Sequence, residues 1–339
     1  MAAENAGPRL AVLSPMPTGS GSIVVHRMLE RYLPGYRVEP YSPWWTLFPP
    51  SLAWFSRQNS ALIHTGVDYG AFLGRPSRPL VVTFHNYVLD RFMRQFSSRL
   101  QWLHYRSDLR FFTKLSLRHA DAVTAVSEAT ACLVREDLGY KGEIIVIPNG
   151  IDISMFSPGA APSGSNFTAL FSGNFTRRKG AHLLPEIAAR LEKDQTIVCV
   201  GAQDDAQSTV RDPHIRFKKR VSHERMPGFY ASCDAMLMPT AREGMSLAVL
   251  EGMACGLPVV ATDCPSMREV IEDGKGGFLC PSGDVAAFAE RLQQLAREPR
   301  LRAEMGAYNR RRILARHDSL SMVERYLQLF RSLDAAACT

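Results

Sequence analysis

The apolar positions of this chain fall into short continuous runs separated by turn chemistry or by helical spacing. "LAVLSP" (10–15), "ALIHTG" (61–66), "LVVTFHN" (80–86), "AVTAVS" (122–127) and "EIIVIPNG" (143–150) have the length and content of buried strands, and Pro-Asn-Gly closes the last. After "TGSGS" (18–22) a helical pattern runs from Ile23 to Leu33. A Pro/Gly/Ser-rich stretch, "SPGAAPSGS" (157–165), reads as a linker, and beyond it the alternation restarts. Strands are expected at 167–174, 196–201, 235–240 and 258–262, with helices at 180–193 and 222–232. Most of the chain after 284 reads as helical, ending at 319–333, where Met322, Tyr326, Leu329 and Phe330 recur at helical spacing. Strands without polar alternation, separated by helices, predict parallel sheets covered on both faces. The fold class is therefore α/β, with two Rossmann-like domains facing a cleft. Ligands of such sheets lie beyond the carboxyl ends of the strands.

Composition agrees and removes other classes. The 339 residues suffice for two domains, and 46% apolar with 22% charged residues is an ordinary globular balance. No uncharged apolar run approaches the roughly 18–20 residues that span a bilayer. The N-terminus carries Glu4 and no leading basic cluster, so its short apolar run reads as a first strand rather than a signal peptide. The 7 cysteines are scattered and form no CxxC pair, which argues against a disulfide framework or zinc site and for a reducing cytoplasm.

The net charge of +7 is unevenly spread. Residues 91–118 hold 7 Lys/Arg against 1 acid, Asp108, with Phe92, Phe96, Trp102, Tyr105, Phe111 and Phe112 interleaved. Such a segment suits peripheral contact with an anionic membrane surface. It could also face nucleic acid, although no nucleic-acid partner is expected. A solvated helix with its aromatic side on the core fits equally well.

The segment with most chemistry is "AREGMSLAVLEGMACGLPVVAT" (241–262), where Glu243 and Glu251 stand in an otherwise nearly uncharged stretch. A helix is expected from about Ser246 to Cys255, with Gly256 supplying the left-handed terminator and Pro258 blocking continuation. Glu243 then lies in the loop before the helix and Glu251 about two turns further on. The backbone N–H groups at Met245, Ser246 and Leu247 make a helix N-terminus suited to phosphate. A carboxylate beside such a site suits sugar hydroxyls. On spacing alone, Glu243 as a helix-dipole partner and Glu251 as a solvated residue remain open.

Glu243-x₇-Glu251 followed by "GMACGLPVVAT" resembles the signature of the retaining GT-B glycosyltransferases of family four, the glycosyl transferases of group one. "SGNFTRRKG" (172–180), "AVSEAT" (125–130), "VIPNGIDISMFSP" (146–158), "REVIEDGKGGFLCPSGDVAAFAERL" (268–292) and "TFHN" (83–86) resemble further segments of that family in the same order. "KKRVSHE" (218–224) resembles the segment whose backbone meets the base. The resemblance covers nearly the whole chain.

It implies a nucleotide-sugar-binding domain at 157–318 and an acceptor-binding domain at 1–156, completed by the crossing helix 319–335. Glu243 would take the donor sugar's hydroxyls, with Gly244, Met245, Ser246 and Leu247 helping to hold sugar and diphosphate. Glu251 would accept from the ribose, and Lys179 would neutralise the leaving diphosphate. The family usually has arginine where this chain has Asn174. An amide cannot grip two phosphate oxygens, so Arg178 or Arg177 is the expected substitute. In the first domain, Gly21 and Ser22, with Gly19 nearby, fall where the family places a Gly-Gly pair near the donor. His85, at a strand end, would contact the donor sugar.

The resemblance further implies front-face attack with retention, the leaving diphosphate taking the acceptor's proton. No Asp-x-Asp motif is present, Asp204-Asp205 has no evident partner, and no metal or other cofactor is expected beside the nucleotide-diphosphate sugar. The acceptor would be a glycan or lipid-linked molecule of a cell-surface polysaccharide or lipopolysaccharide-like glycolipid. The aromatic stretch "YSPWWTLFPPSLAWF" (41–55) and the basic segment 91–118 suit such an acceptor at the inner face of a membrane. A nucleotide-sugar epimerase of the same fold and a non-catalytic glycan-binding homologue are the alternatives.

Overall fold

The computed structural model describes residues 10–75, 77–159, 166–201, 212–219 and 221–337. Most of the linker (160–165) and Asp204-Asp205 lie outside them. The chain divides into two compact units, Met1–Asn149 with Ser319–Thr339, and Gly150–Asp318. The division falls ahead of the expected boundary at 156 because residues 150–156 fold onto the second unit. The Ile151 N–H donates to the His317 carbonyl, Asp152 caps the amides of Ser154 and Met155, and Arg310 binds the carbonyls of Ile153 and Phe156.

In the first unit, β1 (Val12–Pro17), β2 (Tyr36–Tyr41), β3 (Leu62–Gly66), β4 (Leu80–Phe84), β5 (Ala122–Ala125) and β6 (Ile145–Val146) form one sheet. Its order is β2-β1-β3-β4-β5-β6, and every pairing is parallel. Chain direction across the sheet reverses between β1 and β3. The helix Ser22–Tyr32 follows β1, and the C-terminal helix Ser319–Ala337 buries Met322, Tyr326 and Phe330.

In the second unit, β7 (Phe167–Ser172), β8 (Gln195–Val200), β9 (Ile215–Lys218), β10 (Ala235–Met238), β11 (Val259–Thr262) and β12 (Gly277–Cys280) form the order β12-β11-β10-β7-β8-β9, again all parallel. β7 to β9 step one way and β10 to β12 the other. The reversal between β7 and β10 is a topological switch point, where ligands of open α/β sheets bind. Every residue of β10 and β11 is buried, as interior parallel strands require.

Several expected boundaries are corrected. β2 and β9 lack the apolar runs of interior strands, β12 is the short run Gly277–Cys280, and all three are sheet edges. β2 even contains Pro40, which an edge tolerates. The run at 143–150 pairs only over Ile145–Val146, at the opposite edge. β4 stops at Phe84, so His85 is the first residue past the strand. The stretch 180–193 is a 3₁₀ turn (Ala181–Leu183) followed by a short helix (Leu184–Ala188), with Pro185 in its first turn, where a missing N–H costs nothing. Likewise 222–232 is a 3₁₀ turn (His223–Arg225) and a helix (Met226–Ala231).

The basic-aromatic segment is divided more finely. A 3₁₀ helix (Arg91–Phe96) leads to a helix (Arg99–His104) opened by a Ser98/Gln101 capping box, a π turn (Tyr105–Leu109) and the helix Arg110–His119. Met93, Leu109 and Leu117 are buried, while Phe92, Leu100, Leu103 and Phe111 face solvent. The 41–55 stretch forms two 3₁₀ helices that bury Leu52 and Phe55 but leave Trp44, Leu47, Phe48 and Trp54 exposed. Among the described residues, no helix is long and apolar enough to cross a membrane.

Candidate functional site

The loops that follow β7 and β10 are locked together at the switch point of the second sheet. Gly180 has φ +79°, and a Cβ there would run into the Pro239 carbonyl, so only glycine permits this approach. The Ala241 N–H donates to the Arg178 carbonyl at 2.8 Å. The Thr240 hydroxyl, with one proton to give, lies 3.1 Å from that carbonyl and 2.9 Å from Glu243 Oε1.

This clamp delivers Lys179 and Arg178 to Glu243. Lys179 Nζ is 2.6 Å and Arg178 Nη1 3.3 Å from Glu243 Oε1. Arg178 Nη1 also donates to the Arg242 carbonyl at 2.9 Å. Burial pushes the Glu243 carboxyl upward, but the Lys179 and Arg178 charges, with hydrogen bonds from Lys179 and Thr240, outweigh it. Glu243 therefore stays below the usual glutamate range and ionised.

From this loop the chain enters the helix Leu247–Ala254 through Gly244, Met245 and Ser246, all buried. Ser246 is the N-cap, in extended conformation, and its side chain makes no capping hydrogen bond. The helix lies close on β10 because Gly252 leaves room for the Met236 side chain. It ends as expected at Gly256 (φ +80°), with the Leu257 N–H returning to the Gly252 carbonyl.

Glu251, next to Gly252, is buried rather than solvated. Its Oε2 accepts from the Tyr230 hydroxyl at 2.7 Å, and His223 Nδ1 is 3.8 Å from its Oε1. Burial drives its carboxyl up to about 7, with the Tyr230 hydrogen bond pulling the other way. Phe156 packs edge-on against both Tyr230 and His223 and walls this end of the site. Sequence reasoning did not single out Tyr230 or His223.

Asn174 is exposed in the loop after β7, and its carbonyl accepts from the Thr176 N–H. Arg177 points to solvent, so Arg178 is the guanidinium that stands beside Glu243 and Lys179.

Gly21, Ser22 and His85 belong to the first unit. Gly21 caps the helix Ser22–Tyr32 with φ −64°, and a Cβ there would meet nothing within 4 Å. Positive φ falls instead on Gly19, at +79°. Ser22 Oγ is 2.8 Å from Ser20 Oγ, whose hydroxyl group also reaches the Pro17 carbonyl.

His85 is the end of a buried polar network that the sequence did not reveal. His85 Nε2 is 2.9 Å from His26 Nε2. His26 Nδ1 is 2.8 Å from Ser14 Oγ and 2.7 Å from the Tyr36 hydroxyl. That hydroxyl is 2.7 Å from His64 Nδ1, and His64 Nε2 is 2.7 Å from Thr83 Oγ1. His26 and His64 are fully buried. Burial holds all three imidazoles neutral, with His85 drawn down to about 4. The available signal was a histidine on the apolar side of a helix and another inside a strand run.

Comparison with known proteins matches both halves of the chain. Residues 2–155 match the model described as Glycosyltransferase Family 4, and residues 166–298 the model described as Glycosyl transferases group 1. The chain is 28% identical over 244 residues to a D-inositol 3-phosphate glycosyltransferase of Corynebacterium urealyticum, covering 63% of this chain and 57% of that one. It is 32% identical over 192 residues to a phosphatidyl-myo-inositol mannosyltransferase of Mycobacterium leprae, covering 52% and 50%. The chain spans about half the length of the curated relatives it matches. Among solved structures, Anabaena HepE in complex with UDP-glucose superposes with TM-score 0.77 at 20% identity, covering 95% of this chain and all of that one. The fold is GT-B, and with both halves matched in order the chain belongs to the group 1, family 4 glycosyltransferases.

Proposed function

We propose that the protein is a retaining glycosyltransferase that moves a sugar from a nucleoside-diphosphate donor to a glycan or lipid-linked acceptor in cell-surface polysaccharide or glycolipid synthesis. The observation that carries this reading is the meeting of Lys179, Arg178 and Glu243 at the switch point between β7 and β10, with Glu251 buried on the helix that starts there. Cations, a helix start and a carboxylate at the carboxyl ends of parallel strands suit a nucleotide diphosphate and the sugar attached to it.

In this reading Lys179 and Arg178 meet the diphosphate. Lys179 exchanges part of its bond to Glu243 for phosphate oxygens, which gain charge as the glycosidic bond breaks. Arg178 supplies the guanidinium that Asn174 cannot. Glu243, kept ionised, accepts from the sugar hydroxyls, and the backbone from Gly244 to Leu247 holds sugar and phosphate. Glu251 accepts from the ribose. The first unit contributes the Gly21–Ser22 backbone and the neutral His85 imidazole. The acceptor hydroxyl attacks on the face the diphosphate leaves, and a diphosphate oxygen takes its proton, with no metal required.

The exposed Trp44, Phe48, Trp54 and Phe111 and the surrounding arginines support peripheral contact with an anionic membrane. That one relative is a phosphatidyl-myo-inositol mannosyltransferase supports a lipid-linked acceptor.

Calorimetry with UDP and GDP, followed by donor turnover with and without acceptor and with a chelator, tests the reading. Nucleotide binding and acceptor-dependent, chelator-resistant transfer are expected. Failure of both nucleotides to bind at millimolar concentration overturns it, and product from donor alone points to epimerisation instead.

A further inference from the structure

The histidine network has one open end. Among the described residues, His85 Nδ1 is buried and has no hydrogen-bond partner. A buried polar atom left in this state has lost its water without gaining a replacement, so it calls for a partner from outside the fold. Every other nitrogen in the network is engaged.

Each ring's donor and acceptor roles depend on its tautomer, and one arrangement of the protons gives the open end a defined character. Ser14 and Tyr36 each bring a hydroxyl proton, and His26 Nδ1 and His64 Nδ1 each offer a lone pair. In that arrangement Ser14 donates to His26 and Tyr36 to His64, the Tyr36–His26 contact carries no proton, and both imidazoles hold theirs on Nε2. His64 then donates to Thr83, and His26 to His85. His85 Nε2 becomes an acceptor, and the proton of its neutral ring sits on Nδ1.

We propose that His26 is a positioning residue for His85: its Nε2–H fixes the ring and tautomer of His85 so that an Nδ1–H faces an oxygen of the donor sugar. This rests on the transferase reading for the identity of the partner, but the tautomer itself does not. The helix that carries His26 begins at the Gly21–Ser22 turn, so the loop assigned to the donor and the support of His85 share one element. Packing makes the support rigid. The His26 and His64 rings lie 4.4 Å apart, and His64 is flanked by Tyr326 and Phe330 of the C-terminal helix.

Long-range proton–nitrogen NMR of histidine-labelled protein, assigned with a His85→Asn variant, reads the tautomer without donor or activity. Expected is Nδ1–H on His85 in the unmodified protein and loss of that preference in His26→Met. Nε2–H on His85 in the unmodified protein, or a tautomer indifferent to His26→Met, overturns the proposal. Kinetics supply the second arm. His26→Met lowers kcat on the order of tenfold to a hundredfold with donor KM little changed. His26→Gln, whose amide N–H replaces the imidazole Nε2–H, restores most of it. Equal loss in both variants overturns the proposal. If His26→Met does not fold, the unmodified tautomer and His26→Gln still decide. A protein that turns over no nucleotide sugar defeats the transferase reading, and the tautomer measurement stands apart from it.

Discussion

Lys179 Nζ lies 2.6 Å from Glu243 Oε1, so the cation assigned to the diphosphate and the carboxylate assigned to the sugar hold each other. Both side chains are mostly buried, at 17% and 10% exposure. A pair in this setting is weak evidence for stability when intact, but costly when one partner is removed. Lys179→Met leaves Glu243 with Arg178 and Thr240, and Glu243→Gln leaves two cations facing each other. Each single change is expected to destabilise the protein by about 1–3 kcal/mol in urea unfolding. The double variant should recover part of that loss, because removing Lys179 as well relieves the repulsion between the two cations and leaves only Arg178, which is partly exposed. Transfer should be abolished in all three. Activity retained in Lys179→Met would remove this lysine from the chemistry.

Glu243→Ala tests the division of labour between the two glutamates. It should abolish transfer while leaving nucleotide affinity within a few-fold, since Glu251 and the helix start remain. Glu251→Ala should instead weaken nucleotide binding in calorimetry. Loss of nucleotide binding in Glu243→Ala would sink the assignment.

Glu251 should also make both stability and binding pH-dependent. Its carboxyl is raised to about 7 in the folded protein by burial. In the unfolded chain it titrates near the ordinary glutamate value, so the folded state binds the extra proton between about pH 4 and 7. That contribution is complete below the unfolded pKa and is lost as pH rises through about 7, a loss of about 3 kcal/mol. Glu251→Gln should flatten this decline. Glu243 contributes in the opposite sense, since its lowered pKa gives stability that is lost as pH falls below its unfolded value. Ribose hydroxyls favour the ionised Glu251, so donor binding below pH 7 should release a proton. Calorimetry of a nucleotide-diphosphate sugar in buffers of different ionisation enthalpy measures this. His223→Gln controls for the imidazole 3.8 Å away, and a release that persists in Glu251→Gln would exclude the carboxylate as its source.

The two glycines at the candidate site should respond differently. Gly180 combines a left-handed backbone with a blocked Cβ direction, so Gly180→Ala should cost about 3 kcal/mol and displace Lys179. Gly21 has ordinary helical φ and open space, so Gly21→Ala should change stability by no more than about 1 kcal/mol. If the donor approaches that backbone, Gly21→Ala raises donor KM severalfold without unfolding the protein. An unchanged KM would remove Gly21 from the site.

Legibility in the sequence followed burial. Interior strands β3, β4, β7, β10 and β11 were readable because both faces are apolar. The missed strands β2, β9 and β12 are edges: Arg37, Glu39, Arg216 and Lys218 break the run in β2 and β9, and β12 is only the short run Gly277–Cys280 directly behind Lys275-Gly276. At the candidate site, Gly256 and the placement of Glu243 before the helix follow from local turn and cap chemistry. The Lys179–Glu243 contact does not, because residues 64 positions apart meet only through the sheet order. Tyr230, His223, His26 and His64 escaped for the same reason: each is an unremarked polar residue until tertiary packing supplies its partner.

The surface of the first unit carries the last prediction. Trp44, Phe48 and Trp54 expose 77%, 68% and 58% of their surface, and Phe111 exposes 62%. Arg57 lies over Trp54 and Arg106 over Trp102, so cations and aromatic rings share the same faces. The 3₁₀ helix Pro49–Arg57 packs on the turn Gly70–Phe72, which packs on the helix Arg110–His119, so the two exposed stretches belong to adjoining elements. Rings and arginines arranged in this way bind anionic lipid through charge first and shallow ring insertion second. The protein should therefore co-sediment with vesicles containing anionic lipid but weakly with zwitterionic ones, and less at high salt. Trp44→Ser combined with Phe48→Ser and Trp54→Ser should reduce binding severalfold while leaving stability nearly unchanged, because these side chains are already in water. Phe55→Ala is the contrast, since its ring is in the core and its loss should cost about 3–5 kcal/mol. Equal binding to neutral and anionic vesicles, or binding indifferent to the triple substitution, would remove the membrane from this surface.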